Sequence, residues 1–168
     1  MSYQIKRTIV TVLVGIIILI SYLTYTLTRY NSGLINLEDL SFWALTILIF
    51  IGIGIGLTIV TQIIFHIAYS IVISIKEKVK NPAITDKEIE KIIHLNMVTD
   101  EMDKLVELKS MRVGFIVSGI GFVFGLLLIL FGYDAYVLIN IIFLSFSIGS
   151  IGEGLMQIYY YKRGIRHG

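Results

Sequence analysis

Residues 40–75 read LSFWALTILIFIGIGIGLTIVTQIIFHIAYSIVISI, without a single Lys, Arg, Asp or Glu. A helix that crosses a bilayer needs about 20 predominantly apolar residues. At about 1.5 Å per residue, this stretch makes a helix much longer than the roughly 30 Å of hydrocarbon. We therefore expect it to cross a membrane and to continue past the surface, with Trp43 at one interface and Tyr69 at the other.

The composition of the whole chain supports a membrane protein. Of its 168 residues, 56% are hydrophobic and 15% are charged, and none is a cysteine, whereas soluble domains are roughly 45–50% apolar and about 25% charged. This excludes intrinsic disorder, a disulfide scaffold and a cysteine-ligated metal or redox centre. Three further stretches are nearly free of charge, so we predict an all-α polytopic membrane protein. Residues 1–168 then form a single membrane domain with spans at about 8–28, 43–69, 113–132 and 135–158.

The basic residues predict the orientation of these spans. Thirteen Lys and Arg residues lie in the N-terminus, the central loop and the C-terminal tail, which ends with Lys162, Arg163 and Arg166. The other two connections hold only Arg29, beside the acids Glu38, Asp39 and Asp134. Because basic residues accumulate on the cytoplasmic side, both termini and the central loop of this multi-pass protein are expected there. The small positive net charge therefore reflects the accumulation of basic residues on the cytoplasmic side, and we expect no nucleic-acid partner.

The central segment, residues 76–112, is expected to form a cytoplasmic amphipathic helical hairpin between spans two and three. Asn81-Pro82 ends the helix that arrives from the second span. Thr85 and Glu88 have the spacing of a capping box, and a second start signal follows at Thr99.

This segment has two interpretations. It can lie along the membrane surface beneath the spans, or Ile89, Ile92 and Ile93 can dock a cytosolic or membrane protein partner. A nearby acidic group could attract a divalent cation, although the pattern lacks the Asp/Asn alternation and turn glycine of a calcium loop. We therefore interpret it as a solvated helix face; its members are Asp100, Glu101, Asp103 and Glu107.

The second half of the chain carries an acidic D-E-x-D motif that leads straight into the third span, Asp100-Glu101-Met102-Asp103 with Glu107-Leu108-Lys109-Ser110, and the tail Tyr159–Gly164. In these features it resembles a group of small, uncharacterised four-span membrane proteins of bacteria. Those proteins often carry Arg where Met102 stands here. The resemblance implies four spans and a bacterial source, and we therefore expect a multi-pass protein of the bacterial cytoplasmic membrane. Because such proteins are suspected of acting beside small helix-turn-helix regulators, it also implies a regulatory role.

Four polar residues within the spans are candidates for an intramembrane cluster. Glu153 is an ionisable group inside the fourth span, and such groups are costly and often functional. Gln157 lies one turn from it, and Gln62 and His66 are one turn apart in the second span. If these helices are neighbours, the four residues form either a proton or cation site or an interhelical hydrogen-bond clamp, and we favour the clamp. One His and one Glu are too few ligands for a metal site.

Glycine and serine form small-x-x-x-small motifs in three of the spans. Such motifs allow close packing of helices, within one chain or in a homo-oligomer. The motifs are Gly52/Gly56, Gly121/Gly125 and Ser145/Gly149.

The sequence favours a non-enzymatic protein. It has no P-loop, no HExxH motif and no nucleophile set in a loop, so we expect neither catalysis nor a cofactor. The expected function is regulatory, sensory or immunity-type, exerted by helix–helix association within the lipid bilayer and by docking a partner on the cytoplasmic segment. The alternative is a small oligomeric ion- or proton-coupled transporter or channel that uses Glu153 and His66.

Overall fold

The computed structural model describes residues 3–33 and 39–164, which form five α-helices. They are α1 Tyr3–Asn31, α2 Leu40–Lys80, α3 Asp86–Met97, α4 Glu101–Leu130 and α5 Ala135–Arg163. Four segments are long and apolar enough to cross a membrane: α1, α2, the stretch that holds α3 and α4, and α5. The predicted all-α fold with four helices that can span a membrane is confirmed. Glu38 and Arg166, which entered the orientation argument, lie outside the described residues.

α2 is a single helix of 41 residues that begins and ends at polar signals. The Asp39 side chain accepts a hydrogen bond from the Phe42 amide at the start. At the end, the Asn81 amide donates to the Glu77 carbonyl, and Pro82 follows. At about 1.5 Å per residue α2 is roughly 60 Å long, so it continues well beyond the thickness of a bilayer.

α3 and α4 each begin with a capping box. Thr85 accepts from the Glu88 amide, and the Glu88 side chain accepts from the Thr85 amide, as the spacing predicts. Asp100 and Asp103 exchange the same pair of hydrogen bonds at the start of α4. α4 therefore begins one residue later than a cap at Thr99 would give, and it runs without a break to Leu130.

α5 lies at the centre of the helix arrangement. Its most extensive packing is against α4, and it also contacts α1 and α2. α1 packs against α2 as well, so α1, α2 and α5 form a triangle with α4 attached to the far side of α5. The beginning of α1, the end of α5 and α3 share one end of the molecule, which we call the α3 end.

Small residues set the close contact between α4 and α5. A Cβ added at Gly149 would lie 2.7 Å from the Gly114 carbonyl oxygen, and one at Gly121 would overlap the Ser145 side chain. A Cβ at Gly125 would lie 2.7 Å from Leu138. Two of the predicted small-residue motifs, in spans three and four, are therefore used within the chain.

The opposite end of the molecule has an aromatic core. Tyr22 is 1% exposed, and its hydroxyl donates to the Asn140 side-chain oxygen. The Tyr22 ring also packs on Phe143, with ring centroids 4.4 Å apart. Trp43 stacks on Tyr136 at 5.7 Å, which fixes the beginning of α2 against the beginning of α5. These contacts fill the interior between α1, α2 and α5.

α3 packs mainly against α2 and more lightly against α1. Ile89 is buried at 4% exposure, and a salt bridge of 3.0 Å joins Lys78 of α2 to Asp86 of α3. The segment is helical and amphipathic as predicted. Its two helices are consecutive in the chain. A tight hairpin would require extensive packing of α3 on α4, and such packing is not found among the described residues.

Candidate functional site

A polar cavity of about 240 Å³ opens at the α3 end, between α1, α4 and α5. Its lining extends along α1 from Gln4 to Gly15, which is eleven residues or about 16 Å of helix. Its deepest residues include Ser150 and Ile151 of α5. The predicted first span begins at Thr8, and Gly15 lies seven residues or about 10 Å further along α1, so the lining extends about a third of the way through a hydrocarbon layer of roughly 30 Å.

Glu153 is the deep carboxylate of this polar cavity. A Cβ built on Gly114 of α4 would lie 3.2 Å from the Glu153 Oε2, so the carboxylate rests directly on the glycine backbone. Its Oε1 accepts a long hydrogen bond of 3.4 Å from the Gln157 Nε2. The Thr8 hydroxyl lies 3.2 Å from the Gln157 Oε1 and so connects this pair to α1.

Asp103 organises the mouth of the cavity. Its side chain caps the first turn of α4 by accepting from the Asp100 amide at 3.0 Å. The side-chain Nε2 of Gln4 in α1 donates to the same carboxylate at 3.3 Å, and the Tyr161 hydroxyl of α5 hydrogen-bonds to it. A single carboxylate thus joins three helices.

The polar cavity is acidic. Asp103, Glu107 and Glu153 line it, and Arg7 is the one basic residue among the described residues of its lining. Glu107 is close enough to Glu153 for the two negative charges to repel each other. The Arg7 Nε donates to the Gln62 side chain at 3.0 Å, on the side of α2. A cation that enters the cavity would relieve the repulsion between the carboxylates.

The structure does not bring the four predicted intramembrane residues into one cluster. Glu153 and Gln157 are hydrogen-bonded to each other, as described above. Gln62 instead bonds to α1, where its Nε2 donates to the Thr11 hydroxyl at 2.6 Å. His66 lies near the Tyr3 ring, 6.3 Å between ring centroids, in a separate surface groove. α1 intervenes between the two pairs because it packs against both α2 and α5.

The predicted docking residues face the chain itself. Ile89 is buried, and Ile92 and Ile93 are half-buried. The apolar stripe of α3 therefore holds this helix against the rest of the molecule, and a partner could reach Ile89 only after α3 moved.

The predicted helix-packing residues divide into two groups. Those of α4 and α5 pack against each other, as described for Gly121, Gly125, Ser145 and Gly149. A Cβ added at Gly52 or Gly56 would meet no described atom within 4 Å. Self-association through this open motif of α2 stays a prediction.

The residues of the cavity indicate binding chemistry. Carboxylates, amides and hydroxyls accept and donate hydrogen bonds, and within the described residues no His lines the cavity. Over the same ranges, no group of three or more His, Asp or Glu converges on a metal position.

The acidic group was recognised in the sequence, but the parts played by Thr8 and Tyr161 were not. The spacing of Asp100 and Asp103, which matches a capping box, is the signal that could have located the mouth.

Comparison of the chain with protein-family models, with curated proteins and with solved structures gave no match. The resemblance of the second half of the chain to small four-span proteins therefore stays a prediction.

Proposed function

We propose that this chain is a non-enzymatic multi-pass protein of a bacterial inner membrane, with a sensory or regulatory role, that binds a cationic group in the polar cavity from the cytoplasmic side. The observation that carries the proposal is that three acidic residues, Asp103, Glu107 and Glu153, line one cavity, in which Arg7 is the one basic residue among the described lining.

The energetic argument starts from the repulsion between Glu107 and Glu153. Two carboxylates at the edge of a low-dielectric layer repel each other, and a cation between them removes that cost because it attracts both negative charges. The described residues do not favour a metal ion, since no three His, Asp or Glu side chains among them are placed to hold one. A volume of about 240 Å³ has room for an ammonium group that carries several carbon atoms.

The orientation of the cavity follows from the basic residues. Lys76, Lys78 and Lys80 at the end of α2, with Lys162 and Arg163 at the end of α5, place positive charge at the α3 end, and this charge favours the cytoplasmic side.

Single cysteines can test this orientation because the chain has none of its own. In intact cells, a membrane-impermeant maleimide should label Ser32→Cys and should reach Asn96→Cys only after permeabilisation. Both residues are exposed and lie at opposite ends of the molecule. The reverse labelling pattern would contradict the orientation.

Binding from one side explains the structure better than conduction through it. The cavity ends near Gly15 and Ser150, and beyond them Tyr22, Phe143 and Trp43 are buried in the aromatic core. His66, the second group of a proton-coupled transporter, lies in a different groove from Glu153. We therefore propose a binding protein in preference to a transporter or channel.

A sensory role requires that the ligand affect another part of the molecule. Thr99, in the short connection between α3 and α4, lines the polar cavity. A ligand that contacts Thr99 can bias the position of α3 and so control access to Ile89, the buried member of the predicted docking stripe. The partner would then be a protein that recognises α3 in its displaced position.

Saturation-transfer NMR with tetramethylammonium tests the binding proposal, because this method detects weak ligands. The full chain in nanodiscs of zwitterionic lipid should transfer saturation to the cation. The signal should fall strongly in Glu107→Gln and persist in Glu101→Gln, since Glu101 is exposed and does not line the cavity. Empty nanodiscs give the background. No signal above this background, or equal loss in both variants, would refute the proposal.

A further inference from the structure

The polar cavity adjoins an apolar groove on the surface that α4 and α5 form. This α4–α5 groove has a volume of about 600 Å³, and its apolar lining includes Phe115, Phe122 and Phe146. Ser150 and Glu153 line both the groove and the polar cavity. Glu153 therefore lies where the polar cavity and the apolar groove meet.

We propose that the ligand of the polar cavity is a single-chain cationic amphiphile, with its ammonium group between Glu107 and Glu153 and its alkyl chain in the α4–α5 groove. This inference rests on the proposed function and specifies its ligand class.

The length of the groove suits one alkyl chain of intermediate size. From Glu153 to Ile142, the lining of the groove follows α5 for eleven residues, or about 16 Å. This distance is comparable to an extended dodecyl chain. Because α4 and α5 approach closely along glycine and serine, the groove beside them is open where bulkier side chains would fill it.

The charge of the cavity selects the head group. A cation below the membrane surface loses part of its hydration, and this cost is offset only if an anion is close by. Glu153 provides that anion at the junction of the cavity and the groove. A phosphate head group would instead meet three carboxylates, so an anionic lipid is disfavoured.

A second apolar groove is a weaker candidate for the alkyl chain. It lies between α1, α2 and α5, with a volume of about 910 Å³, and shares Thr11, Gly15 and Ser150 with the polar cavity. Glu153 does not line this second groove, but it does line the α4–α5 groove. The alkyl chain of an ammonium ion bound to the Glu153 carboxylate therefore enters the α4–α5 groove directly.

The test uses dodecyltrimethylammonium with a diazirine at the end of the chain, added to the full chain in nanodiscs. After photolysis, we expect the labelled peptides to cover Phe115–Phe122 and Ile142–Phe146. Labelling there should fall at least ten-fold in Glu153→Gln and remain unchanged in Glu101→Gln. The corresponding dodecyl sulfate probe should label the groove no more than the rest of the lipid-facing surface.

Gly119→Leu separates the groove from the polar cavity. Gly119 lines the groove, and among the described residues no atom lies within 4 Å of a Cβ built there, so a larger side chain fills open space. This variant should lose the groove labelling and keep the saturation-transfer signal of tetramethylammonium, and Gly52→Leu should keep both. Retention of the wild-type far-UV circular-dichroism spectrum and elution volume shows that each variant is folded.

The outcomes distinguish the two proposals. If tetramethylammonium binds but the amphiphile labels the groove no more than the sulfate probe does, or labels it equally in Glu153→Gln, the amphiphile inference is overturned and the proposed function stands. If tetramethylammonium does not bind, the proposed function fails, and the inference that rests on it fails too.

Discussion

The Glu153 carboxylate of α5 rests on the backbone of Gly114 in α4, where even a Cβ would come within 3.2 Å of Oε2. The contact exists because the backbones of α4 and α5 approach each other closely at Gly114 and Gly149, one turn from Glu153 along α5. Small residues therefore do more than hold two helices together. They place an ionisable group beside bare backbone, at the junction of a polar cavity and an apolar groove.

Gly149→Ala should destabilise the protein. Its new methyl group would lie 2.7 Å from the Gly114 carbonyl oxygen, and backbone on the facing helix cannot move aside cheaply. Overpacking of this kind costs about 1–3 kcal/mol. Thermal unfolding in detergent, followed by the loss of monodisperse protein, should show a lower midpoint for Gly149→Ala.

Gly56→Ala is the matched control for this prediction, since a Cβ there meets no described atom within 4 Å. The midpoint of Gly56→Ala should equal or exceed that of the wild type, because alanine favours helix more than glycine does. Equal midpoints for the two variants would show that the close approach of α4 and α5 is wrong.

Tyr22→Phe should also lower stability. It removes the hydroxyl that donates to the half-buried Asn140 side-chain oxygen. A hydrogen bond of this kind contributes about 0.5–1.5 kcal/mol. Tyr30→Phe serves as the control because Tyr30 is exposed. In the same unfolding assay the midpoint of Tyr22→Phe should lie below that of the wild type, and the midpoint of Tyr30→Phe should not. Unchanged midpoints in both variants would contradict the hydrogen bond between Tyr22 and Asn140.

Ile89→Ser should release α3 from the rest of the molecule. Ile89 is the buried anchor of α3, at 4% exposure, whereas Leu95 on the same helix is 66% exposed. Hydrogen–deuterium exchange over residues 86–97 should therefore become faster in Ile89→Ser and stay near wild type in Leu95→Ser. Faster exchange in Leu95→Ser alone would mean that the opposite face of α3 makes the contact.

Much of the fold could be predicted from local features of the sequence. Charge-free stretches of sufficient length identified the spans, because a helix is the structure that satisfies an isolated backbone in lipid. The end of α2 at Asn81-Pro82 and the start of α3 at Thr85 were also predicted correctly, since breaks and caps depend on residues only a few positions apart.

The neighbours of each helix could not be predicted in the same way. In lipid, apolar residues surround a span on every side, so the pattern does not show which face of α2 meets α1. For this reason the sequence suggested Gln62 and His66 as partners of Glu153, whereas α1 intervenes and binds Gln62 itself. The polar cavity depends on three helices that are distant in sequence, and only their packing reveals it.

The most direct test of the central claim is the dissociation constant of tetramethylammonium, titrated by saturation-transfer NMR on the full chain in nanodiscs, for wild type and Glu153→Gln. Tetramethylammonium has no N–H, so Glu153 attracts it by charge alone; two unit charges about 5 Å apart are worth about 3 kcal/mol at an effective dielectric constant of about 20, so binding should weaken at least ten-fold in Glu153→Gln. Glu101→Gln should bind like the wild type. A dissociation constant that is the same in all three proteins would contradict a cation site at Glu153.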